Sequence, residues 1–237
     1  MTSRAMETAR LIAKVATDAH AKEIPRQVCA AVCEGLGVDG ATLSLLTDTP
    51  SRQLIAASDN DALLLEEIQF TVLEGPCLSA AYRGETVAVD DLRHDVTPWP
   101  LFGASVREKL PQVASVYGLP MFFGDYVLGS VDLLARRTHA LNARDLEQAE
   151  YVAEAVSAAL MSTRDMLLSG GRPPAWEPEE IVRAHWFDTA RAVGALASRQ
   201  GLTPENALAR MRAEAFRTGR SLADITADIL GDPPHDP

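Results

Sequence analysis

Arginines are the residues of this sequence whose type and spacing indicate chemistry most clearly. Residues 189–220 contain six arginines and two glutamates, a local net charge of +4, although the whole chain of 237 residues carries −11. The planar guanidinium group forms bidentate contacts with phosphate and stacks on unpaired bases, as RNA loops present them. Salt screens charges beyond about 8–10 Å, so a polyanion responds to this local cluster. The arginines therefore predict a nucleic-acid partner, unless pairs such as Arg210 and Glu214 form ordinary helical ion pairs.

Three cysteines offer a second kind of chemistry. Cys29 and Cys33 lie four residues apart on a predicted helix. No second pair of ligands follows at zinc-site spacing, so we expect two core residues and no metal site. Cys77 falls in the first turn of another predicted helix, where free backbone N–H groups favour a thiolate. Two interpretations stay open for Cys77: a reactive or ligand-sensing thiol, and a residue that only packs against the sheet.

The rest of the sequence assembles no catalytic site. Its five histidines are scattered, and it contains no glycine-rich phosphate loop, no Gly-x-Ser-x-Gly elbow and no His-Glu-x-x-His helix. No apolar run approaches the roughly 18 residues of a membrane span, and the N-terminus is amphipathic, unlike a signal peptide. An odd cysteine count favours a reducing compartment. We expect a non-enzymatic cytoplasmic protein with no cofactor and no membrane partner.

The elements that must position these residues fall into two segments. Three prolines and two glycines at residues 169–178 predict a linker, because neither a helix nor a central strand continues through them. Alternating and helical patterns mix before it, whereas only helical patterns follow it. We therefore expect an α+β domain at 1–168, an all-α domain at 179–230 and a disordered tail at 231–237.

The first segment predicts one antiparallel sheet with helices packed on one of its faces. A hairpin turn is expected at residues 123–126, and two helices precede the sheet, the second running from about Pro25 to Gly35 or Gly37. A last helix is capped by Asn142. We expect the first and last helices to pack side by side and to form a homodimer interface, or only to cover the sheet. The predicted strands are residues 41–46, 53–57, 86–89, 113–121 and 127–134.

Helix-boundary residues predict three short helices in the second segment. The first runs from about Pro178 to Gly201, the second begins after the N-cap Thr203, and the third begins at Ser221, with Asp224 completing a capping box. Helices of this length are marginal alone, so we expect the three to pack together.

This helical pattern resembles the ANTAR domain, the RNA-binding module of transcription antitermination regulators. The resemblance covers residues 189–230 and implies a domain that binds paired stem-loops in nascent RNA and prevents a terminator from forming. It rests on Ala192-x-Gly194-x-Leu196, Arg199-Gln200-Gly201, Ala207-x-x-x-Met211-Arg212-x-x-Ala215, Gly219-Arg220 and Leu222-x-x-Ile225-x-x-x-Ile229. The residues that it implies for RNA contact are Arg191, Arg199, Arg212, Arg217 and Arg220.

Two positions depart from the ANTAR pattern. Val193 stands where many relatives carry lysine, and Leu208 stands where an aromatic residue is common. Loss of a cation and of a stacking ring weakens the implied RNA binding, since stacking contributes about 1–3 kcal/mol per base.

Residues 5–165 resemble a GAF sensor domain, which is often joined to ANTAR. The motifs are Ala56-Ala57-Ser58-Asp59, Glu74-Gly75-Pro76-Cys77, Trp99-Pro100, Leu119-Pro120 and Leu128-Gly129-Ser130. The resemblance implies a domain that senses a signal or dimerises, with a pocket for a small molecule that side chains could equally fill. The implied pocket residues are Cys77, Trp99, Phe102, Tyr117 and Met121.

Two other functions stay open. Trp186 and Phe187 could anchor a protein partner, which would make the chain a signalling adaptor. Some GAF domains reduce free methionine sulfoxide with two neighbouring thiols, but Cys29 and Cys33 lie on a different predicted element from Cys77.

Overall fold

The computed structural model describes residues 3–20, 23–46, 52–167 and 188–231. These residues form a five-stranded sheet with helices on both faces, followed by three further helices. None of the helices in these ranges combines the length and the apolar character needed to span a membrane. The elements are α1 (Ser3–Asp18), α2 (Ile24–Leu36), β1 (Gly40–Leu46), β2 (Arg52–Ala57), α3 (Asn60–Val72), α4 (Pro76–Arg83), β3 (Val87–Val89), α5 (Pro100–Lys109), β4 (Ser115–Phe123), β5 (Tyr126–Ala135), α6 (Ala143–Leu167), α7 (Thr189–Gln200), α8 (Pro204–Thr218) and α9 (Leu222–Leu230).

The sheet is antiparallel throughout, with strand order β2-β1-β5-β4-β3. All five predicted strands are present, each within two residues of its expected ends. The predicted hairpin turn is confirmed: Phe123 pairs with Tyr126, and Gly124 between them has φ +59°, a conformation that a two-residue hairpin loop favours.

Helices α1, α2 and α6 cover one face of the sheet. Alternation along the strands directs Leu43 of β1 and Val131 of β5 into this layer, where Ile12 of α1 and Val156 of α6 are also buried. As the sequence predicted, α1 and α6 lie side by side.

Helices α3, α4 and α5 cover the opposite face, which corrects the expectation that helices pack on one face only. Leu65 of α3, Phe102 of α5 and Val116 of β4 belong to this second core layer. The pattern failed here because Leu63, Leu64 and Leu65 form a continuous apolar run that defines no single helical face.

The last three helices pack into a compact unit of their own. As predicted, Thr203 caps α8 by accepting the backbone N–H of Asn206, and Ser221 and Asp224 form a capping box at α9. The expected helix start near 178, the linker at 169–178 and the proposed anchors Trp186 and Phe187 lie outside the described residues. The core of this unit consists of Ala192, Leu196, Ala207, Leu208, Met211, Ala215, Leu222 and Ile225.

The helical unit also touches the sheet domain. Helix α8 packs against α3, and Phe70 of α3 joins the apolar core of the three helices. One aromatic residue of the first domain is therefore part of the packing of the second.

Candidate nucleic-acid interface and sensor site

Two of the arginines on the helical unit are exposed without a carboxylate partner among the described residues. Arg199, in the last turn of α7, donates from Nη1 to the carbonyl oxygen of Ile229 over 3.0 Å. Arg210, on α8, is exposed. A cation beside the last carbonyl groups of a helix is favourably placed against the helix dipole.

Three further arginines form surface ion pairs. Arg191 contacts Asp188 over 2.8 Å, and Arg220 contacts Asp228 over 2.6 Å. These pairs are exposed, and salt and competing anions screen exposed pairs strongly. A phosphate group can therefore replace the carboxylate partner of each of these guanidinium groups.

Glu214 forms the third pair with Arg217, whose Nε donates to the carboxylate over 2.9 Å. This hydrogen bond lowers the pKa of Glu214. The alternative of an ion pair between Arg210 and Glu214 is therefore not the pair that forms: Glu214 pairs with Arg217, and Arg210 has no carboxylate within ion-pair distance among the described residues.

Arg212 differs from the other arginines because it is buried. Its side chain is only 7% exposed, and its guanidinium carbon lies 4.6 Å from the centre of the Phe70 ring on α3. Nε and Nη2 are buried without a hydrogen-bond partner in the described part of the chain, and burial lowers the pKa of Arg212 to about 10. The group stays cationic at neutral pH but is not available to RNA in this arrangement, which corrects the expectation of an exposed Arg212.

Phe216 is an aromatic residue of this surface that the sequence reasoning missed. It is 55% exposed on α8 and lines, with Arg220 and Ile68, a cavity of about 90 Å³ between the two units. Its position one residue beyond the buried Ala215 was the available signal, since a large aromatic outside the apolar stripe of a helix faces solvent.

The five predicted pocket residues do not line one pocket. Trp99 and Phe102 stack edge to face, with ring centres 6.2 Å apart, in the layer under α3 and α5. Tyr117 and Met121 are buried in the opposite layer, under α1, α2 and α6. The reason is the strand period of two, which turns both residues of β4 away from α4, where Cys77 lies.

Tyr117 has a structural role in that layer. Its hydroxyl donates to Asp90 over 2.9 Å and accepts the backbone N–H of Leu141 over 3.1 Å, which ties β4 to the segment that leads into α6. Burial raises the pKa of this phenol.

Cys77 lies in a buried cluster of polar side chains between the sheet and α3. Its Sγ is 2.7 Å from Ser130 Oγ on β5 and 3.8 Å from a carboxylate oxygen of Glu66 on α3. The first turn of α4 approaches β4 so closely that a Cβ on Gly118 would lie 2.6 Å from the carbonyl oxygen of Pro76. Only glycine permits this approach, which seats the thiol on the sheet.

Cys29 and Cys33 are remote from this cluster. Both belong to the layer under α1, α2 and α6, where burial raises the pKa of Cys33 to about 11 and raises that of Cys29 as well. Raised values keep both thiols protonated, as expected for packing residues.

Comparison with protein families assigns both units. A GAF domain model matches residues 18–161, and an ANTAR domain model matches residues 189–230. The chain belongs to the GAF–ANTAR family. This GAF–ANTAR protein is thereby a regulator of the antitermination type, with the fold that the sequence resemblance predicted.

Solved structures agree on the fold of the GAF domain. The GAF domain of a phosphoenolpyruvate-protein phosphotransferase from Coxiella burnetii matches with a TM-score of 0.52 and 16% identity, covering 69% of this chain and 97% of its own. A free methionine-R-sulfoxide reductase from Neisseria meningitidis matches with a TM-score of 0.50 and 16% identity, covering 70% and 95%. No curated protein matches the chain.

Proposed function

We propose that this GAF–ANTAR protein is a cytoplasmic transcription antitermination regulator whose ANTAR domain binds paired stem-loops in nascent RNA. The observation that carries the proposal is the ANTAR match at residues 189–230, within which residues 189–220 carry a net charge of +4 in an otherwise acidic chain. Electrostatic contact with phosphates supplies much of the affinity of such complexes.

The RNA surface consists of Arg199, Arg210, Arg217 and Arg220, together with the exposed ring of Phe216. Arg217 and Arg220 exchange their carboxylate partners for phosphate groups when RNA binds, because their present ion pairs are fully exposed. Phe216 offers an exposed ring face on which an unpaired base can stack, whereas Leu208 is buried in the core of the helical unit. Arg191, at the start of α7, is exposed and paired with Asp188.

The GAF domain controls the ANTAR domain through the contact between Phe70 and Arg212. In the arrangement described, Arg212 is covered by α3 and cannot reach a phosphate. Separation of α8 from α3 adds Arg212 to the four arginines of the RNA surface. A signal received by the GAF domain, or its dimerisation through α1 and α6, is the event that releases it.

A binding titration tests this function. Full-length protein is titrated against a tandem stem-loop RNA, followed by fluorescence anisotropy, with the variants Arg217→Gln and Arg220→Gln. Each substitution is expected to weaken binding about three- to tenfold. It is also expected to reduce the slope of log affinity against log salt concentration by about one, since one phosphate contact is lost. The matched control is Arg144→Gln, which removes an exposed arginine from the start of α6 and leaves the affinity unchanged.

Two outcomes contradict the proposal. If the RNA binds equally well to all four proteins, the arginines of the ANTAR domain are not its contact surface. If no RNA binds and a protein partner resistant to ribonuclease is captured through the helical unit, the chain is a signalling adaptor.

We infer that the GAF domain is regulatory and does not reduce methionine sulfoxide, although it shares its fold with a reductase. That chemistry needs a second thiol within disulfide reach of the first, with the two Cα atoms less than about 7 Å apart. Cys77, in the first turn of α4, is fully buried against the sheet, whereas Cys29 belongs to the layer on the other face of the sheet. Loss of methionine sulfoxide turnover in Cys77→Ser, relative to an active wild type, would reverse this inference.

A further inference from the structure

A row of polar side chains crosses the sheet face that α3 and α4 cover. Thr42 of β1 lies opposite Asp132 of β5, and Ser44 lies opposite Ser130, in the antiparallel register of the two strands. All four residues are buried. A buried sheet face is normally apolar, so four adjacent polar side chains at its centre require a function.

Two helical residues complete the cluster above this row. Glu66 of α3 and Cys77 of α4 reach down to Asp132, and the two carboxylates and the thiol lie within 4.8 Å of one another. Cys77 Sγ is 3.8 Å from Glu66 Oε2. Ligand atoms around a tetrahedral zinc ion are about 3.3–3.8 Å apart, given metal–ligand bonds of about 2.0–2.3 Å. A small inward movement of Asp132 therefore brings the three donors to coordination distance.

The carboxylates are held by partners outside this triangle of donors. Ser44 Oγ donates to Glu66 Oε1 over 2.9 Å, and Gln69 Nε2 donates to Asp132 Oδ2 over 2.6 Å. Gln69 also accepts the backbone N–H of Cys77 over 3.0 Å. Outer hydrogen bonds of this kind orient metal-ligating side chains in protein sites.

Thr42 supplies an independent indication. Its Oγ1 is buried, the residue is 1% exposed, and the hydroxyl has no hydrogen-bond partner among the described residues. The β1–β5 register places it directly beside Asp132, on the same face as Ser44. An unpaired buried hydroxyl is costly and points to a further ligand at this position.

We propose that Glu66, Cys77 and Asp132 bind a divalent metal ion of the zinc class, with the fourth coordination position on the side of Thr42. One thiolate and two carboxylates form a donor set that zinc accepts. Binding releases the proton of the Cys77 thiol, and the hydroxyl of Ser130, 2.7 Å away, donates to the resulting thiolate. The ion joins α3 and α4 to the sheet.

A cobalt titration tests the site. Full-length protein, reduced and freed of metal with a chelator, is titrated with Co²⁺ and followed by its near-ultraviolet absorbance, where a thiolate–cobalt bond gives a charge-transfer band. We expect saturation at one equivalent and displacement of the band by Zn²⁺. Cys77→Ser abolishes the band, and Asp132→Asn weakens cobalt binding at least tenfold.

The matched control is Cys33→Ser, which removes a thiol from the opposite face of the sheet and leaves the titration unchanged. The proposal is overturned if wild-type protein shows no saturable band with a tenfold excess of Co²⁺, or if the band survives in Cys77→Ser. Circular dichroism checks that each variant is folded. If Cys77→Ser does not fold, the wild-type titration and Asp132→Asn decide the question. RNA binding is not measured here, so the outcome is independent of the proposed antitermination function.

Discussion

Arg212 occupies a position in which a guanidinium group has lost most of its water. The face of Phe70 replaces part of that hydration, and a cation over an aromatic ring contributes about 0.5–2 kcal/mol. A contact of this strength holds two domains together without making their association permanent. The contact between Arg212 and Phe70 is therefore suited to a conformational switch between the two domains.

Phe70→Ala removes this contact and frees Arg212. If RNA binding requires Arg212 to leave α3, the substitution increases RNA affinity between about two- and thirtyfold, which is the lost cation–π energy expressed as an equilibrium factor. Anisotropy titrations of the full chain measure the change. Leu73→Ala, an exposed position at the end of the same helix, is the control and has no effect.

An unchanged or reduced RNA affinity in Phe70→Ala would mean that the contact between α3 and α8 does not restrain the RNA surface. The GAF domain would then have to act through another route.

The thiol of Cys33 gives a pH-dependent prediction. A pKa of about 11 leaves about one thiolate in a thousand at pH 8, against roughly one in four for an unperturbed cysteine. Alkylation of native protein at pH 8 is therefore more than a hundredfold slower than that of the denatured chain, and the rate rises about tenfold per pH unit up to pH 11. Mass spectrometry of the modified peptides measures the rate, and labelling at the rate of a free cysteine contradicts the burial of this thiol.

At the scale of elements, two glycines are expected to respond oppositely to the same substitution. Gly118→Ala places a Cβ against the backbone of Pro76 and lifts α4 from the sheet, at a cost of about 1–3 kcal/mol in the free energy of unfolding. Gly194→Ala, inside α7 with open space around it, stabilises the protein by about 0.5–1 kcal/mol.

Urea denaturation of the two variants measures both changes. A neutral Gly118→Ala would show that α4 does not rest on β4 as described. A destabilising Gly194→Ala would show that the face of α7 around position 194 is covered.

The helix caps of the ANTAR domain were predictable because their signals are local. Thr203, Ser221 and Asp224 satisfy backbone groups within three residues of themselves, so neighbouring sequence suffices to recognise them. The strands followed from alternation and turn residues for the same reason.

The candidate sites were less predictable because they depend on distant parts of the chain. Glu66 and Asp132 are 66 residues apart in sequence and adjacent in space, and no local pattern brings them together. In the sequence, Arg212 is indistinguishable from the neighbouring arginines, because its burial depends on Phe70 in the other domain. Tyr117 was expected in one pocket with Cys77 because that role came from the family resemblance, whereas the period of β4 turns Tyr117 to the opposite face of the sheet.

For the whole molecule, charge is divided between the domains. Residues 1–178 carry a net charge of −9, whereas residues 189–220 carry +4. Electrostatic attraction between these two regions favours the arrangement in which α8 packs against α3. RNA competes with the acidic first domain for the same arginines.

Salt dependence tests this division. Four phosphate contacts predict that a rise from 50 to 200 mM salt weakens RNA binding about 50- to 150-fold, the larger value applying to base-paired RNA. Titrations at four salt concentrations measure the slope. A slope near zero would exclude the arginine surface as the main contact, whatever the affinity at one concentration.

Helix α3 serves two neighbours with residues one turn apart. Glu66 belongs to the cluster over the sheet, and Phe70 covers Arg212 on the other domain. A change at the cluster that shifts α3 along its axis moves the ring of Phe70 by the same distance. The cluster around Glu66 and the contact between Phe70 and Arg212 therefore share one rigid helix, and no chain of intermediate side chains is needed to couple them.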